Sequence, residues 1–197
     1  MKQISIRNER EEASGCAGCL GGSTRRQVLT SMAGMAAMTY VPLVYATAEG
    51  PQKGDVFVLA DSPAAPLTID DIKLGQKQIF AVPMDPVTKK VKDGSRLAKV
   101  LFVKFDEAAL DARTKDVAAA GVLAFSAVCT HAGCDVSSWR AQEKKLLCFC
   151  HFTQFDPLDG GKVVAGPAPR ALPVLPLTLE GKVLVAAGGF SAAPGVA

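Results

Sequence analysis

The chain has 197 residues, enough for one domain of ordinary size and an extension, and its 49% hydrophobic and 21% charged residues are typical of a globular protein. The formal net charge of +3 falls to +1 once the first 48 residues are set aside, and this balance argues against a nucleic-acid-binding protein, which needs a basic surface. Only two histidines occur, which excludes any site that needs three.

Residues 1–48 are predicted to be an export signal. The pair Arg25-Arg26 precedes 21 uncharged residues, 28–48, which include many small side chains. This pattern resembles a twin-arginine signal, and Ala46-Thr47-Ala48 is a small-residue cleavage site of the A-x-A kind. A retained membrane anchor is the alternative, because 21 uncharged residues can just span a bilayer. Either way we expect the remaining chain in the periplasm or on the outer face of the cytoplasmic membrane, where disulfides persist.

Cys16 and Cys19 form a C-x-x-C motif inside this leader. Such a motif is found in redox and metal sites, but here no second pair lies nearby and the motif precedes the arginine pair. We therefore assign it no role in the mature domain.

Residues 49–190 are predicted to form an all-β domain of antiparallel sheets. Short runs rich in Val, Leu, Ile and Phe alternate with Pro, Gly and Asp, as in a β-sandwich or barrel. The end of the domain reads as a hairpin that turns at Glu180-Gly181-Lys182, and Pro176 restricts its strand to an edge or to a strand's beginning. The predicted strands are 55–60, 78–82, 99–105, 122–128, 145–148, 162–164, 171–179 and 183–187.

The connections have weaker signals. Residues 106–120 contain good helix formers but are short and polar, which predicts a helix of one or two turns. Residues 83–96 carry Pro, Asp and Gly and predict a loop or a loose hairpin. The Gly-, Ala- and Pro-rich end of the chain is expected to be frayed, with a flexible tail over 191–197.

The residues that can bind a metal ion or form disulfides are concentrated in one segment. Both histidines and four of the six cysteines lie between Cys129 and His151, in the blocks 129–134 (CTHAGC) and 148–151 (CFCH). Each block supplies one Cys and one His as possible metal ligands, together with a further Cys. A zinc site would leave the further cysteines unexplained, and two disulfides without a metal would leave the paired histidines unexplained.

The two blocks, C-x-H-x-x-C and C-x-C-H, resemble the signature of disulfide-containing Rieske iron–sulfur proteins. Residues 166–169 (GPAP) resemble the proline loop that covers the cluster in Rieske subunits of cytochrome bc complexes. The resemblance implies a Rieske fold, in which a base of antiparallel sheets carries a small cluster-binding subdomain made of 129–134, 148–153 and 166–169.

A ligand set for a [2Fe–2S] cluster follows from the same resemblance. It implies that Cys129 and Cys148 bind one iron atom and that His131 and His151 bind the other. The two further cysteines, Cys134 and Cys150, are implied to form a disulfide between the loops.

The residues after the second block bear on the reduction potential. Rieske subunits of bc complexes usually have Gly, Ser and, two residues on, Tyr, where this chain has Phe152, Thr153 and Phe155. Thr153 keeps a hydroxyl that can donate toward sulfur, whereas Phe155 has none. Together with Gly166 and Pro167, these two residues are expected to surround the cluster, at a lower potential than in a Tyr-containing quinol-oxidising centre. Alternatively, Phe152 and Phe155 simply pack beneath the loops as core.

Ala132, Phe152 and the run H-F-T-x-F-D are more similar to the small subunit of arsenite oxidase and related periplasmic molybdenum oxidoreductases. That resemblance implies electron transfer from a large molybdopterin-containing catalytic subunit to a cytochrome-type carrier. A quinol-oxidising subunit of a cytochrome bc complex and a stand-alone periplasmic carrier are the alternatives. With both histidines assigned to iron, none remains for a mononuclear iron site or for nucleophile–base catalysis, so we see no independent catalytic site in this chain.

Overall fold

The computed structural model describes residues 50–196, and the predicted leader, its cleavage site and the Cys16–Cys19 motif lie outside the described residues. Within that range every pairing between strands is antiparallel, and the one α-helix (α1) is Ala112–Val117. No helix among these residues is both long and apolar enough to cross a membrane. The all-β prediction is therefore confirmed. The strands are β1 (Val56–Leu59), β2 (Ser62–Pro66), β3 (Ile79–Met84), β4 (Val100–Lys104), β5 (Val122–Ser126), β6 (Ser138–Arg140), β7 (Lys145–Cys148), β8 (Thr153–Asp156), β9 (Lys162–Ala165), β10 (Val174–Leu175), β11 (Leu177–Glu180) and β12 (Val183–Ala186).

Two sheets divide the domain into a base and a smaller subdomain. The larger sheet has the order β10-β5-β4-β3-β1-β12-β11, with β2 attached to β1, and the smaller has the order β6-β7-β8-β9. All four strands of the smaller sheet lie in the chain between β5 and β10, which pair with each other in the larger sheet. The smaller sheet is thus an insertion between two neighbouring strands of the base.

Alternation along β4 and β5 determines which side of the base carries this insertion. Successive side chains of a strand point to opposite faces, so one set of alternate residues shares a face. The odd-numbered residues pack in one core with Leu146 and Phe155 of the smaller sheet, whereas the even-numbered ones pack in a second core around Phe57. The odd-numbered set is Leu101, Val103, Leu123, Phe125 and Ala127, and it continues to Cys129.

The main strands lie where the sequence predicts them, and the differences have local causes. The predicted strand 171–179 is divided at Pro176 into β10 and β11, which lie at opposite edges of the larger sheet. Proline cannot donate to a ladder, so an edge is where it is tolerated. The helix of one or two turns predicted within 106–120 is α1, of six residues, and a 3-10 turn, Glu107–Ala109, precedes it, because Asp106 and Asp111 each cap a separate start. β2, β6 and β8 are not predicted from the sequence.

The tail, for which composition predicts flexibility, makes specific contacts with the domain. The Ser191 N–H donates to the Val174 carbonyl at 2.8 Å, and the Val174 N–H donates to the Ser191 hydroxyl at 2.9 Å. Further along, Gly195 is buried. Composition alone does not foresee these contacts.

Candidate metal centre

The first cluster loop, residues 129–134, is a tight turn held by its own backbone. A bridge between Val128 and Asp135 closes its base. Inside it, the Cys129 N–H donates to the Cys134 carbonyl at 2.7 Å, and the Gly133 N–H donates to the Cys129 carbonyl at 3.0 Å. Gly133 has a φ of +72°, a conformation that glycine adopts without strain. In this turn Cys129, at the base, is buried, and His131 is partly exposed.

The second cluster loop, residues 148–153, is the turn of the β7–β8 hairpin. Cys148 and Thr153 are the closing pair, so the residues between them form the turn. Cys148 is buried and His151 is exposed. Phe152 has a φ of +57°, which is uncommon for a residue with a large side chain and costs about 1–3 kcal/mol where it is retained.

The two loops bring the histidines together. The Nδ1 atoms of His131 and His151 are 3.1 Å apart, and the ring planes are perpendicular, with an angle of 88° between them. Two nitrogens bound at about 2.0–2.1 Å to one tetrahedral ion lie about 3.3–3.4 Å apart, so a small movement of these rings admits a shared metal ion. The pair therefore fits a single metal position at the exposed end of the domain.

Two free thiols, Cys129 and Cys148, are buried in the core that lies between the base and the smaller sheet. Burial raises the pKa of the Cys148 thiol, and the neighbouring Cys129 thiol raises it further, although backbone N–H groups of the second loop act in the opposite direction. Buried thiols and imidazoles nearer the surface are the two ligand types that a Rieske [2Fe–2S] cluster takes.

A disulfide ties the two loops together. It joins Cys134 and Cys150, whose Cα atoms are 6.5 Å apart. The Cys148 sulfur lies within 4.8 Å of both disulfide sulfurs, so the bridge runs directly beside a candidate ligand. A cross-link across these short loops limits the separation of the two halves of the donor set when the chain fluctuates.

The proline loop, residues 166–169, lies on Thr153. A Cβ built on Gly166 would come within 2.5 Å of the Thr153 Cα atom, and Gly166 has a φ of +92°. The Thr153 side chain is buried, and its Oγ1 is one of three buried side-chain polar atoms without a hydrogen-bond partner among the described residues. An unpaired buried hydroxyl is unusual. The Thr153 hydroxyl is therefore available to donate a hydrogen bond beneath this loop, where Pro167 is exposed and Ala168 is buried.

The two phenylalanines of the second block differ in burial. Phe155 is fully buried in the same core as Cys129 and Cys148, which confirms the alternative that it packs as core beneath the loops. For Phe152 that alternative is wrong, since its side chain is 65% exposed and lies edge-to-face with Phe149, which is 57% exposed. An exposed aromatic pair therefore stands next to His151.

Sequence reasoning missed the residues that attach the first loop to the base. Arg96 donates to the Gly133 carbonyl, and it also forms an ion pair of 3.1 Å with Asp135, which Lys99 contacts at 3.0 Å on its other oxygen. Burial acts to raise the pKa of the Asp135 carboxyl, but hydrogen bonds and charges from Lys99 and Arg96 outweigh it and lower the pKa. These partners are 36 to 39 residues apart in the chain, and no local motif marks them.

Comparisons with known proteins give the family and the relatives to which this chain is similar. A family model described as a Rieske [2Fe-2S] domain matches residues 87–176. A relative from Haloferax mediterranei, named as a respiratory nitrate reductase Rieske subunit, is 38% identical over 145 residues, which is 72% of this chain and 61% of the relative. The cytochrome bc1 complex Rieske iron-sulfur subunit of Corynebacterium diphtheriae is 54% identical over 68 residues, 34% of this chain and 17% of that protein. The chain thus covers less than two thirds of either relative.

Among solved structures, the soluble domain of Rieske protein II from Sulfolobus acidocaldarius is 26% identical, with a TM-score of 0.40. It covers 50% of this chain, and the match covers 65% of that structure. The cyanobacterial plasma membrane Rieske protein from Synechocystis is 29% identical, with a TM-score of 0.33, over 45% of this chain and 75% of that one.

Proposed function

We propose that this chain is an electron-transfer subunit of the Rieske type and that Cys129, His131, Cys148 and His151 hold its [2Fe–2S] cluster. The family match over residues 87–176 and the two relatives support this proposal. The observation that carries the proposal is the 3.1 Å approach of the two histidine Nδ1 atoms, together with two free thiols, Cys129 and Cys148, that are buried in one core. When bound, the cluster accepts and donates one electron at a potential that its neutral imidazole ligands raise.

The protein's own residues provide a dry, rigid position with one open side. The disulfide keeps the loops together, and the proline loop covers Thr153 and excludes water from that side. Thr153 Oγ1 supplies a hydrogen-bond donor, which stabilises added negative charge on sulfur. His151 is exposed, so the partner contacts the donor set through the edge of an imidazole ring.

For the partners, we propose a large catalytic subunit of an extracytoplasmic oxidoreductase, arsenite-oxidase-like and molybdopterin-containing, and a cytochrome-type carrier. The run from His151 to Asp156 supports this assignment, and so does the relative named as a nitrate reductase subunit, because that protein also belongs to an oxidoreductase. Placement in the periplasm or on the outer face of the membrane is part of the proposal and rests on the twin-arginine leader over residues 1–48.

A Rieske subunit of a quinol-oxidising cytochrome bc complex is the second candidate, favoured by the 54% identity to a bc1 subunit over 68 residues. Affinity purification of the tagged chain from its own cells separates the two candidates. A large molybdopterin protein in the purified complex supports the first, whereas cytochrome b in its place overturns it.

Docking at the cluster end predicts a specific kinetic defect. The loops 129–134, 148–153 and 166–169 contain no Lys, Arg, Asp or Glu, so the partner meets an uncharged, largely apolar surface around the histidines. We expect Phe152→Gly, which removes the ring and suits the φ of +57°, to slow electron transfer to cytochrome c about tenfold. Ala132→Glu should slow it as well, and iron content should be unchanged in both.

Val87→Ala is the matched control for this prediction, because Val87 is 87% exposed in a turn of the base. Its transfer rate should equal that of the wild type. Wild-type rates in both Phe152→Gly and Ala132→Glu would show that the partner docks elsewhere.

Phe155 is expected to keep the potential low. Phe155→Tyr places a hydroxyl in the core that contains both candidate thiol ligands. A hydrogen bond that favours the reduced state by about 1 kcal/mol raises a one-electron potential by roughly 40 mV. A redox titration followed by electron paramagnetic resonance measures the shift, and Phe155→Leu, which adds no donor, should leave the potential near its original value. An unchanged or lower potential in the Tyr variant would show that the missing hydroxyl at Phe155 does not keep the potential low.

A further inference from the structure

Arg170, one residue past the proline loop, links two parts of the chain that are distant in sequence. Its guanidinium donates from one nitrogen to the carbonyls of Ala193 and Gly195, at 2.7 Å each. Its own carbonyl accepts a 2.6 Å hydrogen bond from the hydroxyl of Thr130. Thr130 is fully buried and stands between Cys129 and His131, two of the proposed ligands. One residue therefore contacts both the tail and the first cluster loop.

The tail that Arg170 holds also packs against the first loop and its support. A Cβ built on Gly195 would lie 3.2 Å from the Leu97 side chain and 3.6 Å from the Val128 side chain. Leu97 belongs to the 3-10 helix Arg96–Ala98, which carries the arginine bound to Gly133. On the outer side, a Cβ built on Gly133 would lie 3.8 Å from the Val196 side chain. Residues 193–196, here termed the tail strap, thus lie between the base and the first loop.

We propose that Arg170 is a positioning residue for the first cluster loop, and that it acts by fixing the tail strap on one side and Thr130 on the other. The inference rests on the proposed function, since the loop it stabilises is the one that carries His131. Arg170 does not itself touch the donor set. Its effect is to keep the loop in the one conformation in which His131 faces His151.

Three considerations support a positioning role over incidental packing. Hydrogen bonds from a charged donor are roughly twice as strong as neutral ones, and Arg170 makes two of them to backbone carbonyls. Thr130 is buried, so its hydroxyl requires a partner, and the Arg170 carbonyl supplies one. The φ of Gly195 is +79°, a backbone conformation that other residues rarely adopt. In this conformation the Gly195 carbonyl accepts its hydrogen bond from the Arg170 guanidinium.

The test uses Arg170→Ala, Gly195→Pro and the double variant in the full-length chain. Proline fixes φ near −65° and so dislodges the tail without touching Arg170. Hydrogen exchange of the Cys129 and Gly133 amides, which form the hydrogen bonds that close the first loop, reports on its opening. We expect exchange at both amides to be about tenfold faster in each single variant.

The double variant should exchange no faster than the singles, because both changes break one shared contact. Loss of iron to a chelator should be faster by a similar factor, and the spectrum of the reduced protein should broaden. Arg140→Ala removes an exposed ion pair with Glu143 and is the control that should change none of these readouts.

Hydrogen exchange at the wild-type rate at both amides in Gly195→Pro would overturn the proposal. Additive increases in the exchange rate in the double variant would overturn it as well. If Arg170→Ala does not fold, Gly195→Pro alone decides. An iron-free wild-type protein would instead contradict the proposed function, and the exchange comparison would still report on the strap.

Discussion

Replacing either histidine, by His131→Ala or His151→Ala, is expected to reduce bound iron to below about a tenth of the wild-type content while the domain stays folded. Loss of even an indirect partner of a ligand weakens metal binding 10–100-fold, so loss of a ligand should cost at least that much. The fold should persist because His151 is exposed and His131 is partly exposed. Elemental analysis, with circular dichroism for folding, measures both outcomes.

Phe149→Ala is the matched control for the histidine variants. Phe149 lies on the same turn and is 57% exposed, but it offers no ligand atom. Its iron content should equal that of the wild type. Full iron content in either histidine variant would exclude that histidine from the ligand set.

Gly166→Ala is expected to displace the proline loop and destabilise the protein by roughly 2–4 kcal/mol. The added Cβ would lie 2.5 Å from the Thr153 Cα atom and 2.9 Å from its backbone nitrogen. These are backbone atoms of the hairpin that carries the second loop, and they cannot move as the end of a side chain can. The exposed cluster should then lose iron faster to a chelator, and denaturant unfolding measures the change in stability.

Gly181→Ala separates the steric effect from the backbone effect. Gly181 also has a positive φ, +63°, but a Cβ there meets no atom within 4 Å. This variant should cost about 1 kcal/mol and leave iron retention unchanged. If Gly166→Ala lowers the free energy of unfolding no more than Gly181→Ala does, the proline loop is not in close contact with the Thr153 backbone.

Much of the candidate site could be predicted from the sequence because its residues are adjacent in the chain. The two blocks 129–134 and 148–151 each contain one candidate Cys ligand and one candidate His ligand, and each folds as a short local turn. The core in which Cys129 lies also follows from two-residue alternation, because Leu123 and Phe125 of β5, and Ala127 after it, face the same core. Local patterns therefore predict both the turns and the direction of their first residues.

The parts that could not be predicted depend on long-range contacts or on polar sequences. β8 contains Thr153, Gln154 and Asp156 around a single buried phenylalanine, so its hydrophobic signal is weak. The ion pair between Arg96 and Asp135 joins residues 39 apart. The tail is rich in small residues and resembles a frayed end, but Arg170 holds it across 23 to 25 residues of chain. Composition indicates whether a segment can be buried. It does not indicate which distant side chain will donate hydrogen bonds to the carbonyls of that segment.

The central claim is that two sulfurs and two imidazoles of this chain hold a pair of iron atoms. Iron, zinc and acid-labile sulfide analysis of the anaerobically isolated protein, combined with electron paramagnetic resonance after dithionite reduction, tests it most directly. We predict about two iron atoms and two sulfides per chain and a signal from a reduced [2Fe–2S] centre. Colourless protein that contains stoichiometric zinc, and that gives no signal after anaerobic reconstitution with iron and sulfide, would contradict it.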